Sequence, residues 1–266
     1  MKLMLLDWEE FRRAYAPERP MAATIGVFDG LHAGHQALIK KIVDKAPEHI
    51  PAVFTFRDNP KRLLRAEGYE GDLLGLDHKL ELLTAFGVEV VVLIDFSGDF
   101  SRMPGRNFLS TVVERGRVAY MAIGWDFHCG RGRDTDARGL AEFCKDRSVE
   151  AELLDPVLFH GDAASSTKIR RAVKAGQLTL AERLLGRPYE LELGTFLGGS
   201  EGNWRFSFRG GMVRPPEGAW KIMKREGEAL LVIDGQGLEV KGLSRAEIGS
   251  RIPITTLGKN EEIDKE

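Results

Sequence analysis

The sequence predicts an α/β protein: a doubly wound, parallel five-stranded sheet followed by a small antiparallel β domain. Two patterns lead to this fold class. Apolar runs rich in β-branched residues alternate with helical patterns through most of the chain. From Glu190 onward, short alternating runs lie between glycine and proline pairs such as Gly210-Gly211 and Pro215-Pro216. The first pattern is typical of a parallel sheet with helices on both faces, and the second indicates a barrel-like domain.

The sheet and its connecting helices account for the first part of the chain. The predicted strands are Ala22–Phe28, Ile50–Phe56, Val88–Phe96, Arg117–Gly124 and Val149–Phe159. The predicted helices between them are Gln36–Lys45, Leu76–Phe86, Arg106–Arg115 and Ala137–Lys145. In the strand order 3-2-1-4-5 of such sheets, the first and fourth strands are neighbours. We therefore expect the turns after these two strands to face one ligand crevice.

Two further helices are predicted after the fifth strand. One follows the capping sequence Ser165-Ser166-Thr167 and ends at Gly176, and a shorter one spans Leu180–Leu185. The predicted domains are therefore a sheet domain over residues 1–189 and a barrel-like domain over 190–258. A polar tail over 259–266 is expected to fray.

Composition narrows the classes of function. The chain has 266 residues, 43% of them hydrophobic, and its 38 basic and 40 acidic side chains give a net charge of −2. Because the net charge gives the protein no overall positive electrostatic field, we expect small-molecule substrates, and neither nucleic acid nor a membrane as partner. No apolar run reaches the roughly 18 residues that span a bilayer. Only two cysteines occur, which favours a cytoplasmic location, and the oligomeric state is left open.

The turn after the first predicted strand carries the motif His32-Ala33-Gly34-His35. A strand that runs into a helix leaves free backbone N–H groups and partial positive charge at the turn, where a phosphate can bind. His32 and His35 are three residues apart, so both can donate hydrogen bonds toward one bound group. Gly34 leaves room for that group, and Gly26 lets the chain turn before it. The alternative is that both histidines are helix caps or surface residues.

The segment Ile25–Ile39 resembles the start of the bacterial FAD synthetase module, which is usually fused to riboflavin kinase. Further segments resemble later motifs of that family in the same order. They are Thr55–Pro60, Lys79–Leu83 with Gly87-Val88, Gly124–Gly130, Ser165–Arg170 and Leu184–Tyr189. The resemblance extends from Thr24 to Tyr189 and implies a Rossmann-like nucleotidyltransferase fold of the His-x-Gly-His type.

This resemblance implies an FMN adenylyltransferase, which transfers AMP from ATP to FMN and releases pyrophosphate, with Mg²⁺ on the phosphates. Such an in-line displacement needs positioned donors for the charge on the phosphate oxygens, and no covalent nucleophile. The implied catalytic residues are His32, His35 and Arg170. The implied nucleotide-binding residues are Gly26, Phe28, Gly34, Asp126, Ser166 and Thr167, and those toward the flavin are Asn59 and Phe127.

The Ser165–Arg170 segment has a plain structural alternative. Ser166, Thr167 and Arg170 are expected to hold the β- and γ-phosphates, with Lys168 as a secondary candidate. The alternative is an ordinary serine-capped, basic amphipathic helix.

The two turns that face the expected crevice also leave alternatives open. Asp126 is expected to contact ribose or Mg²⁺, or else to be a solvated loop residue. Phe127 lines the nucleotide or flavin pocket, or packs in the core. Asp29 is expected to fix the bend at Gly30 rather than to act in catalysis.

The sequence departs from the family on the expected flavin side of the pocket. Asn59 stands where histidine is common, and Cys129 stands where phenylalanine is common. The loop Arg131–Asp136 lacks a glycine before its last aspartate. After Tyr189, the glycine-rich turn, the Pro-Thr-Ala-Asn motif and the glutamate base of the kinase half are missing. We therefore expect a shortened, degenerate relative of the kinase barrel without riboflavin kinase activity.

Other classes of function stay open on the sequence. A nucleotidyltransferase for another phosphorylated acceptor would share the paired-histidine motif. A non-catalytic flavin- or nucleotide-binding module would share the fold. An aminoacyl-tRNA synthetase relative ranks last, because the chain is short and lacks a Lys-Met-Ser-Lys-Ser loop.

Overall fold

The computed structural model describes residues 3–64, 67–96, 98–159, 162–224 and 229–256. The chain divides into two compact units. Unit 1 comprises Met1–Tyr69 and Leu76–Ala164, and unit 2 comprises Glu70–Gly75 and Ser165–Glu266. The predicted polar tail lies outside the described residues. The predicted domain boundary after residue 189 stays a prediction.

Unit 1 contains the parallel sheet and the helices that connect its strands. In chain order its elements are β1 (Met4–Asp7), α1 (Trp8–Ala14), β2 (Met21–Ile25), α2 (Ala33–Val43), β3 (Ile50–Phe56), α3 (Pro60–Leu64), α4 (Leu76–Ala85), β4 (Val90–Ile94), α5 (Gly98–Ser101), α6 (Gly105–Gly116), β5 (Tyr120–Gly124), β6 (His128–Cys129), β7 (Thr135–Asp136), α7 (Ala137–Lys145), β8 (Glu150–Leu154), β9 (Leu158–Phe159) and β10 (Asp162–Ala163). A short 3₁₀ turn, Arg131–Arg133, lies between β6 and β7.

The main sheet has six described strands, all parallel, in the order β1-β4-β3-β2-β5-β8. The five predicted strands take their predicted order within it, which confirms the doubly wound sheet. The predicted number was wrong by one, because β1 adds to the edge of β4 with Met4 opposite Val90. This four-residue strand runs directly into the capping box of Asp7 and Glu10 that starts α1. The apolar run of β1 is therefore too short to be recognised as a strand from the sequence.

Burial explains why the central strands were recognisable. β2 and β4 are buried along their whole length, and β3 along all but its last residue. Parallel strands covered on both faces carry apolar side chains continuously instead of alternately. In the core, Phe54 of β3 meets Phe11 of α1 edge-on, with ring centroids 5.0 Å apart.

Several predicted strand boundaries were too wide. The fourth predicted run becomes a strand only at Tyr120, because Arg117 ends α6 in the left-handed conformation with φ +46°. The last run divides into β8 and β9. Pro156 lies between them, and proline has no N–H to give to a strand ladder.

The described part of unit 2 contains two α-helices, a 3₁₀ turn at Arg245–Glu247 and the strands of a barrel. Its elements are α8 (Ser166–Lys174), α9 (Leu178–Leu185), β11 (Tyr189–Ser200), β12 (Asn203–Phe208), β13 (Gly218–Ile222), β14 (Leu230–Asp234), β15 (Gly237–Lys241) and β16 (Arg251–Thr255). The strands close into an antiparallel barrel in the order β11-β12-β15-β14-β13-β16, which confirms the barrel-like prediction. Buried side chains alternate along the strands, as at Leu231 and Ile233, because successive residues face the interior and the outside in turn.

The segment Glu70–Gly75 belongs to unit 2 although it lies between two elements of unit 1 in the sequence. Asp72 forms a parallel bridge with Met212. Its N–H donates to the Gly211 carbonyl at 2.8 Å, and its carbonyl accepts from the N–H of Val213 at 2.9 Å. The segment is therefore hydrogen-bonded to the barrel.

Candidate functional site

The turn between β2 and α2 has a strained backbone. Phe28 and Leu31 have φ values of +52° and +44°, although both carry fully buried side chains. Such conformations cost roughly 1–3 kcal/mol each and persist only where the surroundings determine them. Here the Val27 carbonyl accepts hydrogen bonds from Thr55 Oγ1 at 3.1 Å and from Lys79 Nζ at 3.1 Å. These bonds fix the start of the turn.

Gly26 and Gly30 have separate roles in this turn. Gly26 continues the ladder, since its N–H donates to the Phe54 carbonyl at 3.0 Å. A Cβ at Gly26 would lie 3.2 Å from two ring atoms of Phe28, so glycine leaves space for that ring. Gly30 has φ +87°, a conformation that side chains disfavour. Asp29 beside it is buried.

His32 and His35 are stacked. Their ring centroids lie 3.7 Å apart with an interplanar angle of 22°. His32 is the N-cap residue of α2, yet its side chain makes no capping hydrogen bond. The ring of His35 meets Phe28 edge-on at 5.1 Å. A Cβ at Gly34 would lie 3.3 Å from two atoms of the His32 ring, so glycine leaves that ring its space. The structure thus brings the two predicted histidines, Phe28 and Gly34 together at one helix terminus.

His35 is held in the neutral state. Loss of hydration lowers the pKa of His35 well below its usual value of 6.5, and the neighbouring His32 and Lys79 lower it further. Its Nδ1 is shielded from solvent and has no hydrogen-bond partner among the described residues. An unsatisfied buried polar atom costs about 1–3 kcal/mol. This nitrogen is therefore suited to a bound polar group.

The turn after β5 lies beside the turn after β2, because the two strands are hydrogen-bonded neighbours with Thr24 opposite Ala122. Asp126 is exposed on this turn. Phe127 is partly buried and packs against the core cluster of unit 1. Of the two predicted site residues here, Asp126 is the more exposed.

The loop that follows is locked by Asp134. Its carboxylate accepts the N–H of Gly105 at 3.0 Å, at the start of α6, and the hydroxyl of Thr135 at 3.0 Å. Thr135 occupies the position where the sequence lacks the family's glycine, and it is buried. Burial raises the pKa of the nearby Cys129 to about 12, so its side chain is a neutral thiol. The structure therefore gives the departures in this loop a packing role.

Asn59 has a local structural role. Its side chain is buried, and Oδ1 accepts the N–H of Lys61 at 3.1 Å. Its carbonyl accepts the N–H of Arg62 at 2.9 Å. Asn59 therefore caps the start of α3.

The remaining predicted residues belong to unit 2. Ser165 is the N-cap of α8, and its hydroxyl accepts the N–H of Lys168 at 3.3 Å. Ser166 is half-buried and Thr167 is exposed in the first turn. Arg170 is buried, and its Nε donates to the Gly71 carbonyl at 2.7 Å. This contact ties α8 to the segment Glu70–Gly75 within the same unit.

Thr55 and Lys79 are site residues to which the sequence analysis assigned no role. Both donate to the Val27 carbonyl from positions far along the chain. A signal for Lys79 was available, because it lies on the apolar stripe of α4, three residues after Leu76 and four before Leu83. A charged residue in a predicted apolar stripe indicates a buried contact.

Among the described residues, no group of three or more histidine, cysteine, aspartate or glutamate side chains could hold a metal ion. None of the helices described is long and apolar enough to cross a membrane.

A doubly wound parallel sheet whose first crossover helix begins with a stacked histidine pair defines an α/β domain of the paired-histidine type. The comparisons with known proteins extend this. The model of the FAD synthetase family matches residues 15–168, more than half of the chain. The chain belongs to that family.

Curated proteins with similar sequences support this family assignment, and each is matched over part of its length. The bifunctional riboflavin kinase/FMN adenylyltransferase of Escherichia coli (strain K12) is 32% identical over 179 residues, which cover 66% of this chain and 57% of that protein. The bifunctional protein of Listeria monocytogenes is 30% identical over 214 residues, covering 79% and 65%. A protein of the same organism named FAD synthetase is 27% identical over 173 residues, covering 64% and 70%. The chain thus spans less than two thirds of these bifunctional relatives.

A solved structure has a similar fold over 99% of this chain. It is described as a macrolide-efflux protein from Streptococcus pneumoniae, with a TM-score of 0.80 and 21% identity, over 99% of this chain and 94% of that one. At this identity the match shows the fold alone.

Proposed function

We propose that the chain is an FMN adenylyltransferase, which transfers AMP from ATP to FMN and releases pyrophosphate. The observation that carries the proposal is the stacked pair of His32 and His35 at the amino end of α2, in a member of the FAD synthetase family. Relatives named for this activity support FMN as the acceptor. The free thiols of Cys129 and Cys144 support the cytoplasmic location expected from the sequence.

The reaction requires that the two substrates be positioned and that the negative charge on the phosphate oxygens be stabilised. A phosphate oxygen of FMN attacks the α-phosphorus of ATP, and the bond to the bridging oxygen of pyrophosphate breaks. The leaving pyrophosphate takes the negative charge. His32 and His35 donate to phosphate oxygens from a helix terminus whose free N–H groups face the same way. Because its pKa is lowered, His35 does so as a neutral imidazole.

Mg²⁺ fits this proposal through oxygen ligands. With nucleotides it is usually held by substrate phosphates and one or two carboxylates. The exposed carboxylate of Asp126, at the crevice edge of β5, is the side chain that would help to hold it. When bound, the ion supplies positive charge to the phosphates.

The α8 residues are proposed to act on the β- and γ-phosphates. Ser166 and Thr167 have hydroxyls in the first turn of a helix, where phosphate binding is favoured. Arg170 already donates through Nε to the Gly71 carbonyl, which supports a positioning role in addition to phosphate binding. The barrel is proposed to lack riboflavin kinase activity, because the kinase motifs are missing from its sequence.

One assay tests the reaction. Purified protein is incubated with FMN, ATP and Mg²⁺, and in parallel with riboflavin, ATP and Mg²⁺, and flavin products are separated by chromatography. We expect FAD and pyrophosphate from the first mixture and no FMN from the second. Turnover of ATP or CTP with another phosphorylated acceptor, and none with FMN, would replace the proposal by that second activity. Flavin binding without turnover would reduce the chain to a binding module.

Substitution of the histidines tests their role in this reaction. His32→Asn and His35→Asn are expected to lower kcat about 100-fold each, the usual effect of losing an oriented donor to the transition state. His49→Asn is the matched control, because His49 lies at the opposite end of the sheet, just before β3. Circular dichroism checks that each variant is folded. Near-normal turnover in both site variants would remove the histidines from the mechanism.

A further inference from the structure

Lys79 is a buried lysine at the proposed phosphate site. Only 6% of the residue is exposed, although a lysine is almost never buried without partners. It belongs to α4, an element that carries none of the predicted site residues. Its burial at this place calls for a role.

The contacts of Lys79 join two strands. Its Nζ donates to the Val27 carbonyl at 3.1 Å and to the Phe56 carbonyl at 3.3 Å. Val27 follows β2, and Phe56 is the last residue of β3, so one ammonium group fixes the carboxyl ends of two neighbouring strands. Thr55 donates to the same Val27 carbonyl without carrying a charge.

The Val27 carbonyl is the anchor of the strained turn. Phe28, the next residue, has φ +52°, and its ring meets His35 edge-on. A change in the position of Val27 would therefore be transmitted to the His35 ring. The positive charge of Lys79 also reaches this histidine, since Lys79 and His32 are the two charged or titratable groups that lower the pKa of His35.

We propose that Lys79 is a positioning residue for phosphate binding: its ammonium holds the β2–α2 turn in its left-handed conformation and places a fixed positive charge behind the histidine pair. The ligand class is a polyphosphate, such as the triphosphate of a nucleotide or free pyrophosphate. The choice of a nucleotide triphosphate as ligand rests on the proposed function. The experiment below does not depend on that function. An anion at the histidine pair gains from a buried cation because the effective dielectric constant there is low.

Three variants of Lys79 separate charge from hydrogen bonding. Lys79→Met removes both, Lys79→Gln keeps an N–H donor and removes the charge, and Lys79→Arg keeps the charge. Thr55→Val is the matched control, because it removes one hydrogen bond to the same Val27 carbonyl and leaves the charge. Lys40→Met, on the exposed face of α2, controls for loss of a surface charge.

The first measurement is the titration of His35 by NMR, which a purely structural role of Lys79 would not move. In Lys79→Met and Lys79→Gln, the pKa of His35 is expected to rise toward its usual 6.5. In Lys79→Arg, Thr55→Val and Lys40→Met it is expected to stay low. The second measurement is binding of inorganic pyrophosphate, for which we expect at least a tenfold weaker Kd in the two charge-removing variants and less than a threefold change in Lys40→Met.

The outcomes decide the proposal independently of FAD formation. If Lys79→Met does not fold, Lys79→Gln carries the test. The proposal would be overturned if the charge-removing variants kept the low His35 pKa and the pyrophosphate affinity of the wild type. It would also be overturned if Lys79→Arg and Lys79→Gln lost pyrophosphate affinity equally. Protein that binds pyrophosphate through Lys79 but makes no FAD would refute the proposed reaction and leave this inference standing.

Discussion

At the residue scale, the histidine pair shows how burial selects a protonation state. A lone surface imidazole changes charge near pH 6.5. The stacked partner, the nearby lysine and the loss of hydration all oppose a proton on His35. The site can therefore present a neutral hydrogen-bonding ring at physiological pH.

The lowered pKa of His35 makes a prediction about stability. The unfolded chain binds a proton at this histidine below pH 6.5, whereas the folded chain does not until a lower pH. The contribution of neutral His35 to stability is therefore present above pH 6.5 and is lost as pH falls below that value. Between pH 7.5 and 5.5 we expect wild type to lose about 1 kcal/mol more in its free energy of unfolding than His35→Gln, which does not titrate.

Urea denaturation of both proteins at the two pH values measures this difference. The glutamine variant is the control for every other titrating group in the chain. Equal losses in the two proteins would mean that His35 binds a proton as readily in the folded chain as in the unfolded one.

At the scale of elements, the loop between β6 and β7 depends on a glycine. Gly130 has φ +80°, and a Cβ there would lie 2.1 Å from Asp134 Oδ1 and 2.3 Å from the backbone nitrogen of Gly105. Asp134 uses that carboxylate to bind the N–H of Gly105 at the start of α6. The loop, its carboxylate and the helix terminus are therefore packed as one piece.

Alanine substitutions test this packing. Gly130→Ala is expected to lower the free energy of unfolding by about 3 kcal/mol, from left-handed strain and from a clash with backbone that cannot move away. Gly132→Ala is the matched control, because Gly132 has φ +65° but no atom within 4 Å of its Cβ position. We expect about 1 kcal/mol for that variant, from strain alone. Similar losses in thermal or urea unfolding for both would contradict the packing argument.

At the scale of the whole molecule, the segment Glu70–Gly75 assigns part of the first half of the sequence to unit 2. Besides its bonds to the barrel backbone, Gly75 donates its N–H to Glu192 Oε1 at 2.6 Å. The Glu192 side chain is 2% exposed and also forms an ion pair with Arg209 at 2.7 Å. Within unit 2, a buried carboxylate thus joins the segment to β11.

Two glutamates of β11 form a matched test of this connection. Glu192→Ala is expected to lower stability by about 3 kcal/mol, because the buried carboxylate loses its ion pair with Arg209 and its hydrogen bond from Gly75 together. Glu190→Ala, whose carboxylate pairs with Arg251 nearer the surface, is expected to cost less than about 1 kcal/mol. Amide exchange at Gly75, followed by NMR, should become faster only in the first variant. Unchanged exchange there would show that other contacts hold the segment.

The amino-acid sequence alone was enough to predict five of the six described strands of the main sheet and the turn that carries His32 and His35. Continuous apolar runs such as Val90–Ile94 result from burial on both faces of a parallel sheet. The place of His32 and His35, directly after such a run and at the start of a helix, indicated the candidate site. Both signals are local, so they can be recognised without knowledge of the partners. The parallel order of the strands followed from the known handedness and topology of alternating α/β chains.

Contacts between residues that are far apart in the sequence became visible in the folded chain. Lys79 and Thr55 reach the Val27 carbonyl from 52 and 28 positions along the chain, and Arg170 reaches the Gly71 carbonyl from 99 positions. The edge strand β1 became a strand through pairing with β4, because four residues carry too weak a preference of their own. Each case has one cause, because a hydrogen bond between distant segments depends on where both partners lie in space, and the local pattern of either segment carries no information about the other.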